Sequence, residues 1–411
     1  MLDINIPTIE ILDPKGRKVL LRVDFNAPID SKSGRIIDDS RIKAHVITIR
    51  ELVERNNAVV VMSHQGRPSS SDFIPLNQHT ELLSKYLGMQ VNFVEDVMGP
   101  EARRRIKELN KGEVLVLDNV RFVSEEIIEA PPEVHAKSYL VRRLAPFFDI
   151  YVCDAFAAAH RSQPSLVGFP LVLPSCAGRV MEREVKALDK IFNPELKPKI
   201  FILGGGKVHD SLRIIEHLMK SRIADRILLT GLVAQVFMIA RGINIGKANV
   251  EHLEKRGLLA LVPRARRLLL MGAPIDTPID FKTIKNNEVI IESADKTEGV
   301  IADIGPATIK SYSALIAEAS IIVLRGPSGI MEDPRFREGT KKLIEVSLAS
   351  GAYVILGGGH LSAIASEMEL PHDRCHVSTG GGALLLYLAG EPLPAIEALK
   401  LSAKKFLGWK D

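Results

Sequence analysis

Short, continuous apolar runs rich in β-branched residues recur along this chain, each closed by glycine or polar residues and followed by helical periodicity. They run from Lys18 to Val23, Ala58 to Met62, Val114 to Leu117, Ile150 to Cys153, Lys199 to Leu203, Arg226 to Leu229, Ser320 to Leu324 and Ala352 to Leu356. Runs of this length without polar alternation are strands covered on both faces, and the helices between them supply the cover. The pattern predicts a doubly wound, Rossmann-like parallel α/β architecture. A chain of 411 residues, at about 150 residues per domain, has room to build it twice. The expected division is an N-terminal lobe over 1–177, a C-terminal lobe over 178–394 and a tail over 395–411. The helical run Met181-Glu182-Arg183-Glu184-Val185 then serves as a hinge helix between the lobes. The uncharged stretch from Ser162 to Gly178 carries three prolines and reads as loop or linker. The tail reads as a short amphipathic helix with a frayed end. Composition leaves open which lobe it packs on, a return to the N-terminal one included.

The two halves differ in what stands at their strand ends, where ligands bind in such sheets. The first half carries Asp24 and Asn26, then His64 and Arg67, then Arg121, then His160 and Arg161. Cations from four strand ends on one side of a sheet make a pocket for a small, multiply anionic molecule, and the planar fork of arginine suits carboxylate or phosphate. The second half carries Gly204-Gly205-Gly206-Lys207, Gly231, Gly326 and Gly329, Gly357-Gly358-Gly359 and Ser378-Thr379-Gly380-Gly381-Gly382. Glycines let backbone N–H groups approach a phosphate chain and open onto helix N-termini. A glycine cluster after a strand is also a tight strand-to-helix turn, and any lone arginine can be a solvated charge. A lobe for a small acid beside a lobe for a nucleotide points to transfer between them.

Composition removes other classes. The 54 basic and 50 acidic residues nearly cancel, so no nucleic-acid footprint follows from charge. Three dispersed cysteines, Cys153, Cys176 and Cys375, fit a reducing compartment. Met1-Leu2-Asp3-Ile4-Asn5 has neither the cationic start nor the apolar run of a signal peptide, and no apolar stretch approaches the roughly 18 residues of a membrane span. A soluble cytoplasmic protein without nucleic-acid or membrane partners is expected, as a monomer with a homodimer as the alternative.

The usual nucleotide fingerprints, G-x-x-x-x-G-K-[ST] and G-x-G-x-x-G with a following acid, are missing. Other motifs stand in order. Arg22-Val23-Asp24-Phe25-Asn26-Ala27-Pro28 and Asp38-Asp39-Ser40-Arg41-Ile42 come first, then Ser63-His64-Gln65-Gly66-Arg67-Pro68, Asp118-Asn119-Val120-Arg121-Phe122, Asp154-Ala155-Phe156 and Ala159-His160-Arg161. Gly204-Gly205-Gly206-Lys207-Val208, Asp303-Ile304-Gly305-Pro306, Gly326-Pro327-Ser328-Gly329, Gly357-Gly358-Gly359 and His376-Val377-Ser378-Thr379-Gly380-Gly381-Gly382 follow. From about Lys18 to about Leu399 the chain resembles the phosphoglycerate kinases.

That resemblance implies reversible phosphoryl transfer between 1,3-bisphosphoglycerate with ADP and 3-phosphoglycerate with ATP, in glycolysis and gluconeogenesis, with Mg²⁺ accompanying the nucleotide. By it, Asp24, Asn26, Arg41, His64, Arg67, Arg121 and Arg161 hold phosphoglycerate. Arg41, Lys207 and the N–H groups of Gly380 and Gly381 surround the moving phosphoryl, whose chemistry is mostly positioning and electrostatics. Gly205, Lys207, Gly231, Gly329, Glu332, Gly357, Gly358, Gly359, Ser378 and Thr379 hold the nucleotide, Glu332 at the ribose hydroxyls. Metal ligands remain unassigned. The chain departs from the family pattern at Ser211, where a lysine is usual, at Arg325 (asparagine), at His360 and Leu361 (Asp, then Ser or Thr) and at Gln163 (histidine). Arg325 offers a replacement charge for the lysine, with a surface salt bridge as the rival reading. Another small-carboxylate kinase and a non-catalytic nucleotide-binding scaffold stay open as alternatives.

Overall fold

The computed structural model describes residues 6–371 and 373–409, so Met1 to Asn5, and Lys410 and Asp411 of the tail, lie outside the described residues. The chain divides into two compact units, one of residues 187–391 and one of residues 2–186 with 392–411.

In the first unit six parallel strands form one sheet: β1 (Lys18–Arg22), β2 (Ala58–Met62), β3 (Asn92–Val94), β4 (Val114–Leu117), β5 (Ile150–Cys153) and β6 (Ser175–Ala177), in the order β3-β4-β2-β1-β5-β6. Every residue of β2, β4 and β5 is buried, as two-sided cover requires. Alternate residues Val19 and Leu21, Val59 and Val61, Val114 and Val116, Ile150 and Val152 face one way and pack with Ile42, Ile49 and Leu52 of the helix Ser40–Glu54. Each such burial stabilises by about 1.5–3 kcal/mol before entropy is charged against it.

The stretch expected as loop or linker, Ser162 to Gly178, is instead core. A buried π-helical turn, Pro164–Gly168, leads through Phe169–Leu171 to the edge strand β6. The cover that makes this possible comes from the far end of the chain. In the helix Pro394–Leu407, Ala395 N donates to Ala159 O at 3.1 Å, Ser402 Oγ to Leu173 O at 3.0 Å and Lys405 Nζ to Leu171 O at 2.8 Å. Prolines break regular structure locally but do not keep an apolar segment at the surface.

The second unit holds β7 (Lys199–Leu203), β8 (Arg226–Leu229) and β9 (Ile275–Asp276), then an antiparallel trio β10 (Asp280–Lys285), β11 (Glu288–Ser293) and β12 (Val300–Ile304), then β13 (Ile321–Arg325), β14 (Tyr353–Gly357) and β15 (Cys375–Ser378). The parallel sheet runs β15-β14-β13-β7-β8-β9 and the trio runs β11-β10-β12. The architecture is therefore mixed α/β with two parallel sheets of six strands each. β13 and β14 each sit one residue later than their apolar runs. The trio was not anticipated, because β11 is half exposed and shows no continuous apolar run. Between the units the chain continues as the helix Arg179–Asp189. Its first residue is tied down by ion pairs from Arg179 to Glu10, to Glu51 at 2.6 Å and to Glu182 at 2.8 Å. No described helix is long and apolar enough to cross a membrane.

Candidate active site

In the first unit the carboxyl ends of β1, β2, β4 and β5 meet, laced by side-chain amides and hydroxyls. Phe25 N donates to Ser63 Oγ at 2.8 Å, Gly66 N to Asn26 Oδ1 at 2.8 Å and Ala27 N to Gln65 Oε1 at 2.9 Å. Asn119 Oδ1 accepts from Gln65 N at 3.2 Å and from Arg121 N at 3.1 Å, which holds the turn after β4 against the turn after β2. These bonds leave little freedom to the backbone that carries the charged groups.

On this frame His64 lies between two guanidinium groups, with Arg22 Nη2 at 3.2 Å from its Nδ1 and Arg161 Nη1 at 3.4 Å from its Nε2. Burial first, then the charges of Arg22, Arg121, Arg161 and Arg41, hold its pKa far below the usual histidine range. The ring is thus neutral and lends polarity without adding charge to a crowded cation cluster. Arg41 pairs with Asp24, whose Oδ1 also accepts from Asn26 N at 3.2 Å. Arg121 donates to Gly66 O and keeps a buried Nε without a partner; burial, with Arg161 and Arg22, pushes it down to about 10. His160 Nδ1 is likewise buried without a partner. Arg67 stands exposed, near enough that its charge depresses Arg121 and Arg161. Asp24, Asn26, Arg41, His64, Arg121 and Arg161 therefore form one cluster with Arg67 near it. A cluster with so few internal anions, and with donors left over, is suited to a ligand that brings several negative charges.

Three buried groups escaped the sequence reading. Arg22 is wholly buried, donates from Nε to Ser165 Oγ at 2.8 Å and has Glu126 Oε1 3.9 Å from Nη2. Glu126, also wholly buried, accepts from Ser165 N at 2.9 Å, and burial raises its pKa. The one signal for Arg22 was a charge inside an otherwise apolar strand; nothing in sequence links it to a glutamate 104 positions later. The third group is His45, buried in the helix Ser40–Glu54.

Beneath this site His79 donates from Nε2 to Gln65 Oε1 at 3.0 Å while its buried Nδ1 has no partner. Burial pushes its pKa down to about 4 from 6.5. The depressed value means that its contribution to stability is complete above the unfolded pKa of 6.5 and is lost as pH falls toward 4. By linkage that is about 3 kcal/mol. Denaturant titrations between pH 7 and pH 4 should show this loss in the native sequence and a shallower slope in His79→Leu; equal slopes would refute it.

In the second unit the turns after β7, β8 and β13 are packed backbone to backbone. Gly204 N donates to Arg325 O and Gly205 N to Pro327 O, both at 2.8 Å. A Cβ on Gly231, whose φ is +56°, would lie 2.7 Å from Gly205 N, and one on Gly329 would lie 2.7 Å from Ala302 O. Glycine at these places is demanded by close approach of protein backbone. Gly358, Gly359 and Gly381 differ: a Cβ there would meet nothing within 4 Å. They open the helices Gly359–Ala365 and Gly381–Leu388. Gly357 by contrast is closed over by the Leu384 side chain. Gly380 N is engaged by Ser378 Oγ at 3.2 Å, which leaves Gly381 as the more open of that pair. Lys207, Glu332 and Thr379 are exposed and Ser378 is buried. Arg256, unremarked in sequence, brings Nη1 to 3.9 Å from the position of a Cβ on Gly206.

The departures from the family pattern have definite surroundings. Ser211 is buried in the first turn of the helix Val208–Lys220, with Oγ donating to Lys207 O at 3.3 Å. Arg325 is only 8% exposed and its ion pair, to Asp210 Oδ2, is long at 3.8 Å, so it is not a surface salt bridge. Gln163 is buried before the turn Pro164–Gly168. His360 is exposed, and no group of three or more His, Cys, Asp or Glu able to hold a metal occurs among the described residues.

A family profile, phosphoglycerate kinase, matches residues 9–391. The phosphoglycerate kinase of Sulfurisphaera tokodaii is 58% identical over 402 residues, 97% of each chain. That of Saccharolobus solfataricus is 58% identical over 403 residues, 98% of each. The crystal structure of phosphoglycerate kinase from Pyrococcus horikoshii OT3 is 40% identical, covers 98% of this chain and 100% of its own, and superposes with a TM-score of 0.90. The Coxiella burnetii phosphoglycerate kinase structure is 31% identical over 96% of this chain and 99% of its own, with a TM-score of 0.79. Likeness of sequence and of fold over essentially the full length places this chain in the phosphoglycerate kinase family.

Proposed function

We propose that this chain transfers a phosphoryl group reversibly between 1,3-bisphosphoglycerate with ADP and 3-phosphoglycerate with ATP, as a cytoplasmic, monomeric enzyme of glycolysis and gluconeogenesis. The observation that carries the reading is the cation cluster from four strand ends, with a buried Nε of Arg121 left without a partner. Five arginines, Arg22, Arg41, Arg67, Arg121 and Arg161, gathered with few acids are costly to fold unless a polyanion is their purpose. In this reading Arg121, Arg161, Arg67 and His64 take the phosphate and carboxylate of the acid, and Asp24 and Asn26 take its hydroxyl end. Gly205, Gly231 and Gly329 shape the nucleotide floor, while Lys207, Gly357, Gly358, Gly359, Ser378 and Thr379 border its phosphates and Glu332 its ribose. Arg41, Lys207 and the N–H groups of Gly380 and Gly381 stabilise the phosphoryl in flight. The helix Arg179–Asp189 acts as hinge; a radius of gyration that fails to shrink when both ligands bind would count against that role. The reaction itself is tested by ATP consumption that depends on 3-phosphoglycerate and is absent with acetate, glycerate or no acid. Turnover with acetate or glycerate would favour another carboxylate kinase, and none with any acid would favour a scaffold.

Mg²⁺ enters as part of the nucleotide substrate. The position at which the family pattern has aspartate is His360, and a neutral imidazole is a poor ligand for a hard cation that prefers oxygen. His360→Ala should leave the Mg²⁺ concentration for half-maximal rate within about twofold of the parent. A tenfold rise would show that the imidazole serves the metal after all.

A further inference from the structure

We propose that His45 is a positioning residue for the acid site, fixing the backbone of Asp24 so that the Asp24 carboxylate and Arg41 stay in register. The inference rests on the assignment of Asp24 and Arg41 made above. His45 is buried in the helix Ser40–Glu54, one turn after Arg41, so the two side chains share a face of that helix. Its Nε2 lies 3.1 Å from Asp24 N. A backbone N–H only donates, so Nε2 carries no proton and the proton of the neutral ring is on Nδ1. Nδ1 in turn lies 2.7 Å from Asp154 Oδ2 and donates to it. The other oxygen of Asp154 accepts from Val180 N at 2.8 Å and Met181 N at 3.2 Å, the first-turn donors of the helix Arg179–Asp189. A Cβ at residue 178 would strike the Asp154 carboxyl group, its Cγ at 2.6 Å, so Gly178 is what lets that carboxylate reach the helix end.

The relay thus runs Asp24 N–H, His45, Asp154, helix start, and every link is buried. Its effect falls at the end of β1, where the chain leaves the sheet and Asp24 turns its carboxylate to Arg41. Without an acceptor at Nε2, the Asp24 N–H is left buried and unpaired. The backbone is then free to shift toward another partner, and Asp24 moves with it.

Glutamine and asparagine at this position separate this role from a merely structural one. The amide of glutamine reaches the place of Nε2 and can accept from Asp24 N–H. The shorter asparagine reaches only the place of Nδ1 and can donate only to Asp154. Steady-state rates are to be measured for the native chain, H45Q, H45N and H45A, varying 3-phosphoglycerate and ATP separately, with the melting temperature of each. H45N and H45A should raise KM for 3-phosphoglycerate about fivefold to tenfold while KM for ATP stays within about twofold, and H45Q should stay close to the native chain in both. If H45A does not fold, the H45Q and H45N pair decides. An unchanged KM for the acid in H45N overturns the proposal. So does an H45Q enzyme impaired as much as H45N, or a parallel rise in both KM values. A native chain without 3-phosphoglycerate-dependent turnover would instead overturn the functional assignment on which the proposal stands.

Discussion

Lys207→Ala should lower turnover about a hundredfold or more, and Arg41→Ala should do the same, with smaller changes in the affinity for either substrate. The transition state of phosphoryl transfer spreads charge over three oxygens, so a fixed cation contributes most when that charge has developed and little before. Lys207 stands exposed immediately before the helix Val208–Lys220, and its ammonium makes no ion pair among the described residues. Removing it therefore costs the fold little, and lost turnover cannot be put down to unfolding. Arg41 is partly exposed and paired with the buried Asp24, whose carboxylate keeps the charge of Arg161 nearby when Arg41 is removed. A melting temperature close to the native value in both variants is part of the expectation. Lys207→Ala that retains most of its turnover would remove Lys207 from the catalytic assignment.

Glu126→Leu should destabilise the first unit by about 3–5 kcal/mol, and Arg22→Met by clearly less. Both side chains are wholly buried, and they share Ser165. The asymmetry comes from protonation. When Arg22 is lost, the Glu126 carboxyl, whose pKa burial already raises, can take up a proton and bury as a neutral acid. When Glu126 is lost, Arg22 cannot shed its proton and stays charged in the interior, close to His64 and Arg121. Denaturant unfolding of the two single variants and the double variant measures this directly. The double variant should lose less than the two single losses combined, because the charge left behind by Glu126→Leu is no longer there. Equal losses in the single variants, or a larger loss for Arg22→Met, would contradict the argument.

Much of the candidate site was legible because its residues stand at ends of recognisable strands. Asp24, His64, Arg121 and Arg161 each follow an apolar run that could only be a buried strand, and parallel strands bring their carboxyl ends to one side. Glycine clusters could be placed in the same way, but not interpreted. Whether a glycine faces open space, as at Gly359 and Gly381, or makes room for neighbouring backbone, as at Gly231 and Gly329, depends on what lies within 4 Å of it. Periodicity also failed where burial came from far along the chain. The proline-bearing stretch around Leu166 became core because the helix Pro394–Leu407 covers it.

The sequence by itself determined the two parallel sheets, the location of the cationic ends in the first and the glycine ends in the second, and the family. Those properties follow from local hydrophobic period and from motifs read along the chain. Only the tertiary structure decided which charges are neutralised, which donors are left without partners, and that His45 joins Asp24 to Asp154. These depend on distances between residues such as Arg22 and Glu126, or His45 and Asp154, that lie about a hundred positions apart. Side-chain chemistry repeats along a sequence, whereas desolvation and pairing are set by what packing brings within a few ångströms.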